Sequence, residues 1–151
     1  MTEPLSFQPR ISVLTLAVED LAAMRKFYTE ILGWKPVAAN KDIVFFQLNG
    51  FLLSLCDRKM LVDLIGIRPT GEGFRGMSIG YNVQSKEEVF EIYEYLKKKV
   101  DIVTAPTEFP FGGWYFYFTD IEGNVLEVAS NDFIMYDNDN NVTGHLPIDQ
   151  L

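Results

Sequence analysis

The sequence repeats one order of elements, and this repeat constrains the fold more than any other feature. Each half reads as a strand, a capped helix, a short strand and a hairpin. Superposing the halves pairs residues of similar character: Val18 with Val83, Tyr28 with Tyr93, Gly50 with Gly123 and Leu53 with Leu126. Self-similarity at this scale indicates one supersecondary unit used twice. We therefore predict two βαβββ modules.

Local signals mark where the elements of each module begin and turn. Asp20 precedes the first helical stripe, where its carboxylate can accept from free backbone N–H groups. Ser85 opens the second helix with the spacing of a capping box. The Asn49-Gly50 pair is a strong hairpin signal, and residues 120–123 read as a second tight turn. Each module thus ends in a predicted hairpin.

The length of 151 residues suits one domain. We expect a single domain over residues 1–151, with one module at about 10–66, a second at about 74–130, and a polar C-terminal tail over 131–151. The predicted class is α+β. The two modules share a U-shaped, eight-stranded mixed sheet, with helices on its outer face and a cleft along its inner face.

Composition excludes several classes of function. The net charge of −8 argues against nucleic acid, which requires lysine and arginine. Cys56 is the only cysteine and His145 the only histidine, so neither a disulfide nor a multi-histidine site can form within the chain. No apolar run is long enough to cross a membrane. Met1–Pro4 lack the regions of a signal peptide, so we expect a cytoplasmic protein.

The polar run 137–141 superficially resembles a calcium-binding loop. Its sixth position is Val142 where glycine is needed, and its twelfth is Ile148 where glutamate is needed. We therefore do not predict a calcium site in the tail.

Side chains alternate along each strand, which assigns residues to the two faces of the sheet. The more apolar face suits the helices, and the other face becomes the wall of the cleft. If both turns are tight, Phe45 and Gln47 lie opposite Ser54 and Leu52. By the same assumption, Phe116 and Phe118 lie opposite Glu127 and Val125. The candidate ligand-binding residues are Val13, Phe45, Gln47, Ser54, Cys56, Ser78, Trp114, Phe116, Phe118 and Glu127. Filling of this cleft by the tail or by a second subunit remains an alternative.

Several motifs in this order resemble a known family. They are Val18-Glu19-Asp20-Leu21, Phe27-Tyr28, Ile31-Leu32-Gly33 and the stretch 118–124 followed by Glu127. Over about residues 10 to 130 the chain resembles the vicinal oxygen chelate superfamily, which contains glyoxalase I, bleomycin-resistance and extradiol-dioxygenase proteins. The resemblance implies paired βαβββ modules around a U-shaped cleft, commonly in a homodimer. It also implies up to four metal ligands on the inner strands.

Carried over by position, those four ligand places are Val13, Ser54, Ser78 and Glu127. Valine cannot ligate a metal, serine is a poor ligand, and only Glu127 keeps a metal-binding group. One carboxylate does not hold a first-row metal tightly enough for Lewis-acid catalysis. We therefore expect no metal and no other cofactor.

Three hypotheses follow. In the first, the protein binds a small aromatic or cationic molecule without a metal, as its aromatic residues and acidity suggest. In the second, it is a metal-independent isomerase or lyase in which Glu127 is the catalytic general base. Cys56 on the same face lacks a histidine to activate it, so a core thiol is the simpler interpretation. The third, a metal-dependent glyoxalase or dioxygenase, is disfavoured by the lost ligands.

Overall fold

A computed structural model describes residues 13–65, 75, 77–110 and 112–149. The first module contains β1 (Val13–Val18), α1 (Leu21–Lys26) with a π-helical turn (Phe27–Ile31), β2 (Pro36–Ala39), β3 (Ile43–Gln47) and β4 (Leu52–Asp57). Helix α2 (Arg58–Ile65) follows it. The second module contains β5 (Ser78–Val83), α3 (Lys86–Leu96), β6 (Asp101–Glu108), β7 (Trp114–Thr119) and β8 (Val125–Ser130). The tail forms β9 (Ile134–Tyr136) and β10 (Val142–His145).

The strands confirm the predicted α+β fold of two βαβββ modules. The eight module strands fall into two four-stranded mixed sheets, with orders β1-β4-β3-β2 and β5-β8-β7-β6. In each sheet the first and last strands of the module pair in parallel, and the other pairs are antiparallel. Strands β9 and β10 form a separate antiparallel hairpin. Among the described residues, no helix combines the length and apolar character needed to span a bilayer.

Helices α1 and α3 each cover one face of the sheet of their own module. The apolar residues of the helix and those of the sheet are spaced so that the two apolar faces meet. Asp20 and Ser85 cap α1 and α3 as predicted, accepting from Ala23 N and Glu88 N respectively. The core shared by the modules contains Leu16, Val18, Met24, Tyr28, Phe46, Leu53, Val89, Phe116, Phe118 and Leu126. We call the side of each sheet opposite α1 or α3 its inner face.

The turn between β7 and β8 joins the two modules through a buried carboxylate. Asp120 Oδ1 accepts from Glu122 N at 2.9 Å and Asn124 N at 3.0 Å. Its Oδ2 accepts from Asn124 Nδ2 at 2.7 Å and from the Tyr28 hydroxyl of module one at 3.1 Å. Burial, followed by the charge of Asp120, raises the pKa of Tyr28 far above its ordinary value. The Asp120 carboxylate is therefore a structural acceptor that fixes module two against α1.

This turn is one residue longer than the sequence interpretation assumed, and the difference reverses the faces of β7. Thr119 pairs with Val125, which leaves five residues in the turn. Phe116 consequently lies opposite Val128, and Tyr117 lies opposite Glu127. A shift of one residue moves every side chain of a strand to the other face. The predicted pairing of Phe116 and Phe118 with Glu127 and Val125 is therefore wrong.

The three aromatic residues assigned to the cleft from β7 lie on the helix side instead. Phe116 and Phe118 are 0% and 2% exposed, and the Phe116 ring meets Tyr93 of α3 at 5.4 Å between centroids. Trp114 packs edge-on against Phe90 of α3 at 5.2 Å. Inner-face placement of these three residues is incorrect. The pairing predicted for β3, with Phe45 opposite Ser54 and Gln47 opposite Leu52, is confirmed.

The polar run in the tail is the turn of the β9–β10 hairpin. Asp137 Oδ1 accepts from Asp139 N and Asn141 N, and Asn141 Nδ2 donates to Asp137 Oδ2. These bonds lower the pKa of Asp137. Both oxygens of the Asp137 carboxylate therefore accept hydrogen bonds from residues of its own turn.

Candidate functional site

The inner face of module one is closed at its centre. Thr15, Ser54 and Phe45 lie side by side on β1, β4 and β3. The hydroxyls of Thr15 and Ser54 form a hydrogen bond of 2.7 Å, and Ser54 is 0% exposed. Ser54 therefore has its polar partner inside the fold and offers no surface to a ligand in the chain as folded.

The other module-one candidates contribute little to a common site. Val13 is exposed, with no polar group to offer. Gln47 is exposed, and its amide nitrogen donates to the carbonyls of Leu48 and Phe51 within its own hairpin. Cys56 is 2% exposed, and burial with the charges of Asp57 and Asp42 raises the pKa of its thiol. A buried thiol held in its protonated form is a poor nucleophile.

The corresponding place in module two is built from different residues. Gly80, Glu127 and Tyr117 lie side by side on β5, β8 and β7, at the positions that Thr15, Ser54 and Phe45 occupy in module one. Glu127 is partly buried. The Tyr117 hydroxyl lies next to this carboxylate, and its interaction with Glu127 together with burial raises the pKa of Tyr117 to about 12.

Gly80 leaves a gap between two oxygen atoms of this face. A Cβ placed on Gly80 would lie 3.4 Å from Asn82 Oδ1 and 3.8 Å from Glu127 Oε1. The two acceptors therefore flank a stretch of bare backbone, which we call the Gly80 notch. Ser78 lies on the same face of β5 and is exposed.

Two aromatic rings share the inner face with Glu127 and a third stacks on one of them, and all three differ from the predicted ones. Tyr115 and Tyr117 share the inner face with Glu127, and their ring centroids are 5.6 Å apart. Phe109 stacks at a tilt on Tyr115, with centroids 4.3 Å apart. Sequence reasoning missed Tyr115 and Tyr117 because it assumed the shorter turn. The available signal was the spacing of Asp120 and Asn124. An asparagine four residues after an aspartate can donate its side-chain amide back to the aspartate, which indicates the longer turn.

The negative charge of Glu127 has no cationic partner in the described part of the chain. The ion pairs found there join Lys26 to Glu30, Arg58 to Glu19, Lys59 to Asp63 and Lys97 to Glu94. All of them lie away from the inner face of module two. Among the described residues, the Glu127 carboxylate therefore has a neutral hydroxyl beside it and no cation paired with it.

The residues at the four ligand places do not fit a metal ion. Val13 supplies only an apolar group. Ser54 supplies a buried hydroxyl that is already hydrogen-bonded to Thr15, and Ser78 supplies one more hydroxyl. Within the described ranges, no group of three or more His, Cys, Asp or Glu side chains could hold a metal ion. Oxygen ligands from one carboxylate and one hydroxyl fall short of the donor sets that bind first-row metals.

Comparison with known proteins places this geometry in a family. Residues 10–128 match the model of the Glyoxalase/Bleomycin resistance protein/Dioxygenase superfamily. A glyoxalase-related enzyme from Fulvimarina pelagi is 30% identical, with a TM-score of 0.81 over 91% of this chain and 99% of that one. No protein of curated function matched.

Two more distant structures share the fold. One is a glyoxalase/bleomycin resistance protein/dioxygenase from Nocardioides, at 23% identity and a TM-score of 0.73 over 95% of this chain and 93% of that one. The other is a lactoylglutathione lyase from Agrobacterium tumefaciens, at 24% identity and a TM-score of 0.67 over 82% and 95%. The paired modules, the matched residues and the Fulvimarina relative together show that this chain belongs to the glyoxalase/bleomycin resistance protein/dioxygenase superfamily.

Proposed function

We propose that the protein binds a small cationic molecule, aromatic at least in part, on the inner face of module two without a metal ion. The observation that carries the proposal is the Glu127 carboxylate, which is partly buried, lies opposite Tyr117 on the neighbouring strand and has no ion pair among the described residues. It lies among tyrosine rings rather than among metal donors.

The Glu127 carboxylate and the neighbouring tyrosine rings are complementary to a cation that carries an aromatic ring. A cation gains Coulomb attraction from Glu127 and a further ~0.5–2 kcal/mol from an aromatic face. A flat ring on the ligand can pack on Tyr115 or Tyr117. One charge contact and one ring contact support a dissociation constant of about 1 mM for a small one-ring cation. The net charge of −8 favours cations over anions in the approach to this face.

A charge series tests the proposal. Benzyltrimethylammonium, benzyl alcohol and benzenesulfonate carry one ring with a positive, neutral and negative substituent. In a thermal-shift titration we expect stabilisation by the cation only, because a ligand that binds the folded state raises the melting temperature. Glu127→Gln should weaken cation binding by about tenfold or more.

The matched control is Glu91→Gln, which makes the same chemical change at an exposed position of α3. It should leave cation binding unchanged. Equal stabilisation by all three probes, or an equal effect of both variants, would refute the proposal.

The second candidate function is a metal-independent isomerase or lyase with Glu127 as general base. The Tyr117 hydroxyl beside the carboxylate favours it, because proton abstraction next to a carbonyl uses a base and a nearby donor. Tyr117 nevertheless interacts with the base itself, which favours the binding role of Glu127. Exchange of deuterium from solvent into dihydroxyacetone, lost in Glu127→Gln, would support this candidate over the first.

A homodimer and a cytoplasmic location remain predictions, the first from the family resemblance and the second from the N-terminal sequence.

A further inference from the structure

The Gly80 notch holds two hydrogen-bond acceptors and no donor side chain between them. Asn82 Oδ1 and Glu127 Oε1 both lie within 4 Å of the point where a Cβ of residue 80 would stand. Gly80 has an ordinary backbone conformation, so its missing side chain is not a requirement of the turn or strand. The notch is therefore a space that a ligand with N–H groups fits.

The Asn82 side chain lies near the tail hairpin. Tyr136 of β9 is partly buried, while its neighbour Met135 points to solvent. The Tyr136 hydroxyl is shielded from solvent, and no described group meets full hydrogen-bond geometry with it. Burial raises the pKa of Tyr136, and the Asn82 side chain opposes this rise as a nearby donor. The Asn82 side chain therefore lies near Tyr136, and its oxygen lies at the notch.

We propose that the Gly80 notch binds the N–H groups of a primary ammonium, and that the Asn82 oxygen beside Glu127 makes the site prefer such amines over quaternary ammonium compounds. This inference rests on the proposed function and narrows its ligand class. A primary ammonium has three donors for the two acceptors, whereas a quaternary one has none. A site built to hydrogen-bond its ligand rejects an analogue that leaves the polar groups unpaired.

Tyr136 lies outside the segment that matches the family, which ends at residue 128. The preference would therefore belong to this chain and its tail hairpin. A further hydrogen bond anchors the hairpin to the end of β5, since Gln84 Nε2 donates to Asn140 Oδ1.

The test compares benzylamine, protonated at pH 7.5, with benzyltrimethylammonium. We expect the wild-type protein to bind benzylammonium about tenfold more tightly, the ratio that one or two net hydrogen bonds provide. Asn82→Ala should bring this ratio close to one while quaternary binding persists. Tyr136→Phe should lower the ratio by a smaller factor, because the amide then loses its polar neighbour in the tail.

Two controls make the same changes elsewhere. The first control is Asn138→Ala, because Asn138 lies in the exposed tail turn. The second is Tyr81→Phe, because Tyr81 is exposed on β5. Both should keep the tenfold ratio. Gly80→Ala supplies an independent test that leaves the hairpin intact, since its methyl would fill the notch at ordinary contact distances and abolish the preference.

The outcomes separate the two proposals. If the wild-type protein binds neither cation, the proposed function and this inference both fail. If it binds both cations equally and still depends on Glu127, only the inference fails. An unchanged ratio in Asn82→Ala also overturns the inference.

Discussion

The two modules place three residues at matching positions on their inner faces, with opposite results. Thr15, Ser54 and Phe45 close one face with a buried hydroxyl pair. Gly80, Glu127 and Tyr117 leave a notch, a charged group and a phenol on the other. The backbone frame is the same in both. Side-chain size and charge at three positions therefore distinguish the two inner faces, and the proposed function assigns ligand binding to the second.

The largest expected effect comes from exchanging the central residues between modules. Ser54→Glu should destabilise the fold by about 3–5 kcal/mol, because it buries a carboxylate at a site with 0% exposure. The reverse change, Glu127→Ser, should alter the free energy of unfolding by less than about 1 kcal/mol. Urea unfolding of both variants measures the contrast. Similar losses would show that the two faces are equally closed.

A second exchange tests the notch. Gly80→Thr copies Thr15 into module two and should reduce benzylammonium affinity about tenfold, since the larger side chain occupies the space between Asn82 and Glu127. The fold should persist because Gly80 does not need positive φ. Circular dichroism checks the fold and a titration checks affinity. Full affinity in this variant would place the ligand elsewhere.

The hydroxyl pair of module one should matter for stability alone. Ser54→Ala leaves the Thr15 hydroxyl without its partner and should cost about 1–2 kcal/mol of unfolding free energy. The double variant Thr15→Val with Ser54→Ala should cost less than the two single changes together, because neither polar group is then stranded. A double-mutant cycle measures this coupling. Any change in cation affinity would contradict a closed module-one face.

The smallest expected effect is on proton binding. Tyr117 has its pKa raised to about 12 through its interaction with Glu127 together with burial. Because the unfolded chain loses this proton near pH 10, the stability that Tyr117 contributes is present below about pH 10 and is lost as the pH rises toward 12. Glu127→Gln should lower the pKa of Tyr117 toward 10, as seen in the NMR titration of ¹³Cζ-labelled tyrosine. Tyr117→Phe assigns the resonance, and an unmoved pKa in Glu127→Gln would exclude that interaction.

Much of the fold was predictable because helix caps and hairpin signals act locally. Asp20 and Ser85 cap the helices where expected. The β3–β4 pairing followed from the Asn49-Gly50 signal, with Gln47 opposite Leu52. Residue type and spacing were sufficient in both cases, because a cap or a turn depends on neighbours only a few residues away.

The candidate site was harder to predict because it depends on one turn. The turn 120–124 holds five residues since Asn124 bonds back to Asp120. The tail turn 137–141 repeats these bonds, with Asn140 taking the positive φ that Gly123 takes in the first. An aspartate followed four residues later by asparagine is thus the shared signal. Without it, the sequence assigns Phe116 and Phe118 to the cleft and leaves Tyr115 and Tyr117 unassigned.

Asn82 and Tyr136 could not be brought together from the sequence. The tail hairpin is hydrogen-bonded to a residue just after β5, and no periodicity in the tail specifies which strand it approaches. Long-range docking of a short hairpin depends on shape and on single polar contacts, such as that between Gln84 and Asn140.

Amide chemical-shift mapping with benzyltrimethylammonium tests most directly whether module two alone binds a cation. We expect shifts at Gly80, Tyr117 and Glu127, none at Thr15, Phe45 and Ser54, and their disappearance in Glu127→Gln. Shifts centred on the module-one residues, or shifts that survive Glu127→Gln, would contradict a cation site built on that carboxylate.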